Sequence, residues 1–410
     1  MESTSVIVIG AGPAGLALSH CLAETGIEHV VLERHDTGHS WRHERWDSLR
    51  TLTPNWMNGL PGAPYRGPDP DGFMPAGDVA NRLAVYSAAI DAPVVAGTEV
   101  SAVRADQNGY VVETNDGCWA GRAVVLATGP GQPRVPTMAN DLPSRIQSVT
   151  ATDYRNPTQL HGERVLVVGA SASGVQLADE LNASGRHVTV AVGEHVRLPR
   201  TYRGRDILWW MQAMGVSARR WDDDVDDLAR ARQVPSPQLI GTDDRRTLDL
   251  RTLRRNGVEL VGRLVGVAGA RLQFAGSLAN LVANADLKQS RLLDEIDAFV
   301  AHTGVAASAP HRPPPTDVDR SPTSLDAHAF DVVLWATGHR HSPPGVDPAH
   351  LDRRGRIIHD GGALRTPGLF VIGLPFLRRR SSTFLSGIGR DAVELAMEVR
   401  SHLDRTAVAV

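Results

Sequence analysis

Two glycine-rich segments carry the chemistry of this chain: Gly10-Ala11-Gly12-Pro13-Ala14-Gly15 and Gly169-Ala170-Ser171-Ala172-Ser173-Gly174. A G-x-G-x-x-G run between an apolar strand and a helix is built to hold the diphosphate of a dinucleotide. In the first run, Gly10 permits the tight turn and Gly12 lets the backbone approach a pyrophosphate. Gly15 lets the helix pack closely on its strand, and the helix N-terminus, opened by Pro13 and Ala14, offers free N–H groups and a positive dipole end. Glu33 follows Gly10 by 23 residues, where an acid accepts hydrogen bonds from ribose hydroxyls, with Arg34 beside it. In the second run Ser171 replaces the middle glycine, and its hydroxyl can still bond a phosphate. Ala172, Ser173 and Gly174 open the helix there. No acid closes the next strand: Glu194 is displaced, and Arg197 and Arg200 follow. Arginine suits bidentate phosphate binding, so these two are expected to take the 2′-phosphate of NADPH. Two such sites a domain apart suit two cofactors that meet, most simply a nicotinamide passing a hydride to a flavin.

The elements that position these residues are short and regular. Residues 5–9 (SVIVI) read as a buried parallel strand, 13–24 as a helix stopped near Gly26, and 29–32 as the next strand. Residues 123–126, 165–168, 187–192, 331–335 and 369–372 read as further strands, with 174–184 as the second motif's helix. Residues 36–78 look like an extended excursion, 94–113 like short antiparallel strands and 278–302 like one long helix. Residues 306–326 read as a Pro-rich linker and about 390–403 as the terminal helix. The order places one nucleotide unit inside another. The expected fold is α/β with two Rossmann-like dinucleotide-binding domains: 1–157 with 318–410 for FAD, and an inserted 158–317 for NADPH.

Composition narrows the class. The 410 residues suffice for two or three domains, and a net charge of −3 gives no electrostatic case for nucleic acid. Cys21 and Cys118 form no C-x-x-C, so a redox dithiol, a disulfide framework and a zinc cluster are unsupported. The apolar stretch 5–18 lacks a basic flank and is broken by glycines, so neither a targeting signal nor a membrane span is expected. Cytoplasmic residence fits. Lys288 is the single lysine against many arginines, a bias of GC-rich bacterial genomes that suggests a place in secondary metabolism.

Other residues are candidates by position. Trp56, Trp209 and Trp210 can wall a dry substrate site. Arg379 and Ser382 follow the last strand and its Gly373, where an anionic group could be held. Gly389 and Asp391 open the terminal helix, whose N-terminus could face a flavin ring and stabilise negative charge on it.

Together these motifs resemble the class B flavoprotein monooxygenases, which include flavin-containing monooxygenases, Baeyer–Villiger enzymes and CzcO-like flavoproteins. Carriers of the resemblance are Gly10 to Gly15 with Glu33, the Ser40-Trp41-Arg42 stretch, and Arg45 to Leu49 with Thr53-Pro54 and Leu60-Pro61-Gly62. The triplets Ala127-Thr128-Gly129 and Ala336-Thr337-Gly338 match where that family's chain crosses between domains. The resemblance implies flavin contacts at Trp41, Arg42, Thr128, Gly129, Thr337, Gly338 and Gly373. It also implies that NADPH reduces FAD, which captures O₂ as a C4a-(hydro)peroxide and passes one oxygen atom to a small organic substrate. That transfer would be N- or S-oxygenation, hydroxylation or Baeyer–Villiger insertion. The family's fingerprint before the second glycine run is altered, with Thr150 in the histidine position. Leu52, next to Thr53, stands where many members place a flavin-proximal asparagine. A flavin oxidoreductase or oxidase that does not oxygenate, and an FAD- and NADP-binding redox sensor without turnover, are the alternatives.

Overall fold

The computed structural model describes residues 1–408 other than Asp224, Ser342 and Pro344. Among the described residues, seven strands form the first sheet and five the second. In the first, Glu2–Ile9 lies between His29–Leu32 and Gly117–Leu126, all parallel. The long Gly117–Leu126 strand changes partner along its length. Its first half pairs antiparallel with Gly109–Thr114, and its second half pairs parallel with Leu369–Val371. Val6, Ile7 and Val8 are all fully buried, because helices Pro13–Glu24 and Leu385–Val408 cover one face and other elements the opposite one. Burying each such side chain contributes roughly 1.5–3 kcal/mol, which is why the run reads as continuously apolar rather than alternating.

The second sheet is wholly parallel. Its order runs Glu259–Val261, His187–Ala191, Arg164–Val168, Val332–Trp335 and Gln147–Thr150. These pairings correct the expected boundaries. Gln147–Thr150 and Val332–Trp335 lie outside 158–317, yet they hydrogen-bond into the inserted unit's sheet. The true crossings are the short antiparallel segments Gln132–Pro133 and His339–Arg340, which pair with each other. They are the two chain passages between the units, and the two Ala-Thr-Gly triplets precede them.

Three further elements depart from the sequence reading. Ala76–Ala89 is a helix that buries Ala76, Val79, Ala80, Leu83 and Tyr86 on one face. The 306–326 linker ends in the strand Ser324–Asp326, which extends a small antiparallel sheet through Arg271–Phe274. The terminal helix starts at Leu385, before Gly387 and Gly389 rather than after them. The long helix at Leu278–Thr303 stands within a residue of where it was expected.

Candidate functional site

The first glycine loop has the shape its sequence demands. Gly10 sits at φ +109°, and a Cβ there would lie 2.6 Å from the Ala127 carbonyl oxygen. A Cβ on Gly15 would lie 1.9 Å from the Gly10 oxygen, so helix and turn touch only because both residues lack side chains. At Gly12 a Cβ would meet nothing within 4 Å. That open approach to the start of the Pro13–Glu24 helix is what a diphosphate needs, so the loop fits a dinucleotide. Pro13 occupies the first turn, where its missing N–H costs nothing. Glu33 is held at the strand tip by accepting hydrogen bonds from the Ala11 N–H (2.7 Å) and the His35 N–H (3.0 Å). Gly373, at φ +84°, ends the Leu369–Val371 strand against Ala14, where a Cβ would stand 3.0 Å from that of Ala14.

The neighbouring candidates are more dispersed. Arg34 is exposed and, with Glu44, Thr150, Asp153 and Arg155, lines a groove of about 570 Å³ between the units. Trp41 packs half-buried on the first core, with the Arg45 guanidinium 5.5 Å over its ring. Arg42 turns to Asp36 at 2.5 Å on the surface. Thr128 approaches His341 (Oγ1 to Nε2, 3.4 Å), and the Thr337 hydroxyl donates to the Arg134 carbonyl, tying the two crossings together. Gly129 and Gly338 adopt φ of +69° and +78° beside them.

The second loop repeats the first. Gly169 sits at φ +117° with a Cβ position 2.3 Å from the Ala336 oxygen, and that of Gly174 is 2.0 Å from the Gly169 oxygen. Ser171 precedes the Ala172–Ala183 helix, and its hydroxyl makes no capping bond there. It therefore stays available to a phosphate, next to Ala172 and Ser173 in the first turn.

Arg197 and Arg200, expected as phosphate ligands, are both turned into the protein and engaged by carboxylates. Arg197 is buried and spent on Asp249 (2.8 Å) and Asp286 (2.7 Å), with a further bond to the Pro314 carbonyl. Arg200 is wholly buried. It pairs with Asp206 at 2.7 Å, donates to the Leu52 carbonyl at 2.8 Å and lies 4.9 Å from the Phe73 ring. Both charges are turned inward because carboxylates meet them there: Asp249 and Asp286, distant in sequence, for Arg197, and Asp206, six residues on, for Arg200.

Arg200 thereby fixes the segment that carries Leu52 and Thr53. That segment is a buried polar knot: Thr53 donates to Asn58 (2.6 Å), Thr51 donates to the Thr53 carbonyl (2.9 Å), and Asn58 donates to Thr51. The Thr53 hydroxyl is thus a positioning group turned inward. Leu52 and Trp56 pack, partly buried, on an apolar cluster shared by the two units. Trp209 lies at the same cluster beneath Arg205, whose guanidinium is 4.1 Å from its ring centroid. Trp210 is fully buried, and its Nε1 donates to the Tyr202 carbonyl, so it is core rather than a substrate wall.

The residues after the last strand also serve the fold. Arg379 pairs with the buried Asp391 at 2.7 Å and with Glu394. The Ser382 hydroxyl accepts from the N–H groups of Arg378 and Arg379, closing the turn. Burial holds the Asp391 carboxyl above its ordinary value against the pull of Arg379. Gly389 is small because Pro61 packs on it: a Cβ would lie 3.2 Å from that ring. Arg379, Ser382 and Asp391 are therefore joined to one another.

A loop that sequence reasoning missed ties the second glycine run to the segment that carries Thr51 and Leu52. Gln238 donates to the Ala170 carbonyl inside the second glycine run, and Gln176 donates to Leu239. Three residues on, a Cβ at Gly241 would lie 2.4 Å from the Thr51 oxygen. Residues 238–241 thus span from one nucleotide loop to the segment beside Leu52. The lone glycine was the available signal, and nothing local said which backbone it would meet.

Near the crossings, buried donors lie unspent among the described residues, including His341 Nδ1 and Arg232 Nη2. Burial, together with Arg232, Arg378 and His341, pushes the His359 imidazole down to about 3. Below its ordinary value of 6.5 the unfolded chain takes up a proton that the folded chain refuses. This group's contribution is therefore complete above that value and is lost as pH falls toward 3. The His359→Gln variant should show a flatter fall in Tm across that window; an unchanged slope would exclude His359 as the source.

Known proteins match this arrangement. Residues 7–205 fit the family model described as pyridine nucleotide-disulphide oxidoreductase. An uncharacterized CzcO-like oxidoreductase of Geobacillus kaustophilus is 29% identical over 402 residues, covering 97% of this chain and 98% of its own. The indole-3-pyruvate monooxygenase YUCCA1 of Oryza sativa subsp. japonica is 27% identical over 98% of this chain and 94% of its own. A solved flavin monooxygenase mutant from Stenotrophomonas maltophilia superposes with a TM-score of 0.69, at 21% identity and full coverage of both chains, which speaks for the fold. No helix of the described residues is long and apolar enough to cross a membrane. Along nearly its whole length the chain is thus similar to CzcO-like oxidoreductases and to an indole-3-pyruvate monooxygenase, and it shares its fold with a flavin monooxygenase.

Proposed function

We propose that this protein is an FAD- and NADPH-dependent monooxygenase that transfers one oxygen atom from O₂ to a small organic substrate. The observation that carries the proposal is the pair of glycine loops, each with a positive-φ first glycine and a last glycine in contact with it. When bound, FAD would accept a hydride from the nicotinamide and react with O₂. The chain's own residues bind and orient. Gly12 and the Pro13–Glu24 helix would receive one diphosphate, Glu33 a ribose, and Ser171 with the Ala172–Ala183 helix the other diphosphate. The apolar cluster around Leu52, Trp56 and Trp209 excludes water beside the Thr51–Asn58 knot.

Thr150 favours a second reading. Its hydroxyl donates to Asp153 at 2.6 Å, a turn-closing role without an imidazole's proton chemistry. An oxidase that releases peroxide would suit that change. One experiment separates the two. The purified protein is reduced with NADPH and exposed to isotopically labelled O₂ with a panel of amines, sulfides and ketones. Label in an organic product supports the monooxygenase, whereas peroxide formed one-for-one with NADPH across the panel would sink it.

A further inference from the structure

With Arg197 spent on Asp249 and Asp286, the second nucleotide site needs another source of selectivity at the ribose. In a unit of this topology the adenosine ribose lies beyond the end of the strand that follows the glycine helix. Here that strand is His187–Ala191, continued by Val192 and Gly193. A Cβ on Gly193 would find a single neighbouring atom, the Nε of Arg263, at 3.8 Å. Arg263 follows the adjacent parallel strand Glu259–Val261 by two residues, so both strand ends open on one edge. Its side chain is exposed, and no hydrogen bond or ion pair engages its guanidinium among the described residues.

The surrounding charges favour an anion. Glu194 directly follows Gly193, and it is ion-paired with Lys288 at 3.7 Å. Arg197 close by is matched by Asp249 and Asp286, so Arg263 is the cation left without a carboxylate at this strand tip among the described residues. His195 adds no charge near neutral pH: burial lowers its imidazole, whose Nδ1 is bonded to the Gly193 carbonyl. Glu194 stands three residues past the strand end, rather than at the tip where an acid takes both ribose hydroxyls.

We infer that Arg263 selects NADPH by binding its 2′-phosphate, with Gly193 leaving the space for the guanidinium to reach it. The inference rests on the two-nucleotide reading above. A planar fork without a competing partner matches a phosphate bidentately, and Lys288 offsets the repulsion from Glu194.

Calorimetric titration of the purified flavoprotein with NADP⁺ and NAD⁺ tests it, independently of turnover. The parent protein should bind NADP⁺ more tightly. Arg263→Ala should weaken NADP⁺ by about ten- to hundredfold, the loss expected for hydrogen bonds to a charged group, and leave NAD⁺ within about twofold. Arg263→Lys should recover part of the loss. Because Arg263 is exposed, its variants should melt with the parent. Equal weakening of both nucleotides, or a parent protein that binds NAD⁺ as tightly as NADP⁺, would overturn the assignment. If neither nucleotide binds, the two-nucleotide reading falls, and the Arg263 assignment with it.

Discussion

Replacing Arg200 with alanine is expected to destabilise the protein by about 3–5 kcal/mol, while leaving its preference between NADPH and NADH unchanged. The guanidinium is fully buried, and burial pulls its proton affinity down while Asp206 pulls it back up. Removing it strands the Asp206 carboxylate, half of a buried ion pair, without its partner. Asp206 would still cap the Ile207–Ala213 helix through the Leu208 N–H at 2.8 Å, so the helix should survive. The Leu52 carbonyl would lose its donor, and the Thr51–Asn58 segment would loosen against the second unit. Urea melts and nucleotide titrations of the same variant check both halves. Near-parental stability with a selective loss of NADPH affinity would return Arg200 to the role of phosphate ligand. A buried pair of this kind is weak evidence for net stability, so Arg200→Met with Asp206→Leu should cost less than Arg200→Ala alone.

The glycine loops supply the other large effect, and they supply it asymmetrically. Gly15→Ala drives a methyl to within 1.9 Å of the Gly10 oxygen. Helix and turn must separate, and the first diphosphate cradle is lost. The expected product is a colourless protein that retains no flavin after purification. Gly174→Ala makes the equivalent clash, 2.0 Å from the Gly169 oxygen, but in the other unit. That variant should purify yellow and fail to bleach with NADPH. Absorbance spectra before and after NADPH addition distinguish them. Flavin retained by Gly15→Ala, or lost by Gly174→Ala, would reverse the assignment of the two loops.

Much of the frame could be read locally. A run such as Ser5 to Ile9 can be buried on both sides only in a parallel sheet under helices, and a glycine run after it has few uses. The helix Ala76–Ala89 was equally legible, since Val79, Leu83 and Tyr86 recur at its period, but the glycines and prolines before it obscured the pattern. Strand membership was not legible. Val332–Trp335 has the same composition as a first-sheet strand, and its register with Arg164–Val168 is set by pairing across 167 residues of chain.

Charged residues show the difference most clearly. The sequence alone determined the two nucleotide loops, Glu33 at its strand tip and the α/β order, because each depends on steric and hydrogen-bonding rules acting over a few residues. It could not determine where an arginine points. Arg197, Arg200 and Arg379 were plausible phosphate ligands by position. Tertiary folding brought Asp249 and Asp286 to Arg197, a tight hairpin brought Asp206 to Arg200, and the start of the last helix brought Asp391 to Arg379; a buried guanidinium must take the nearest carboxylate or pay its full desolvation. Arg263, which sequence position did not recommend, was left exposed beside Gly193 because no carboxylate reached it.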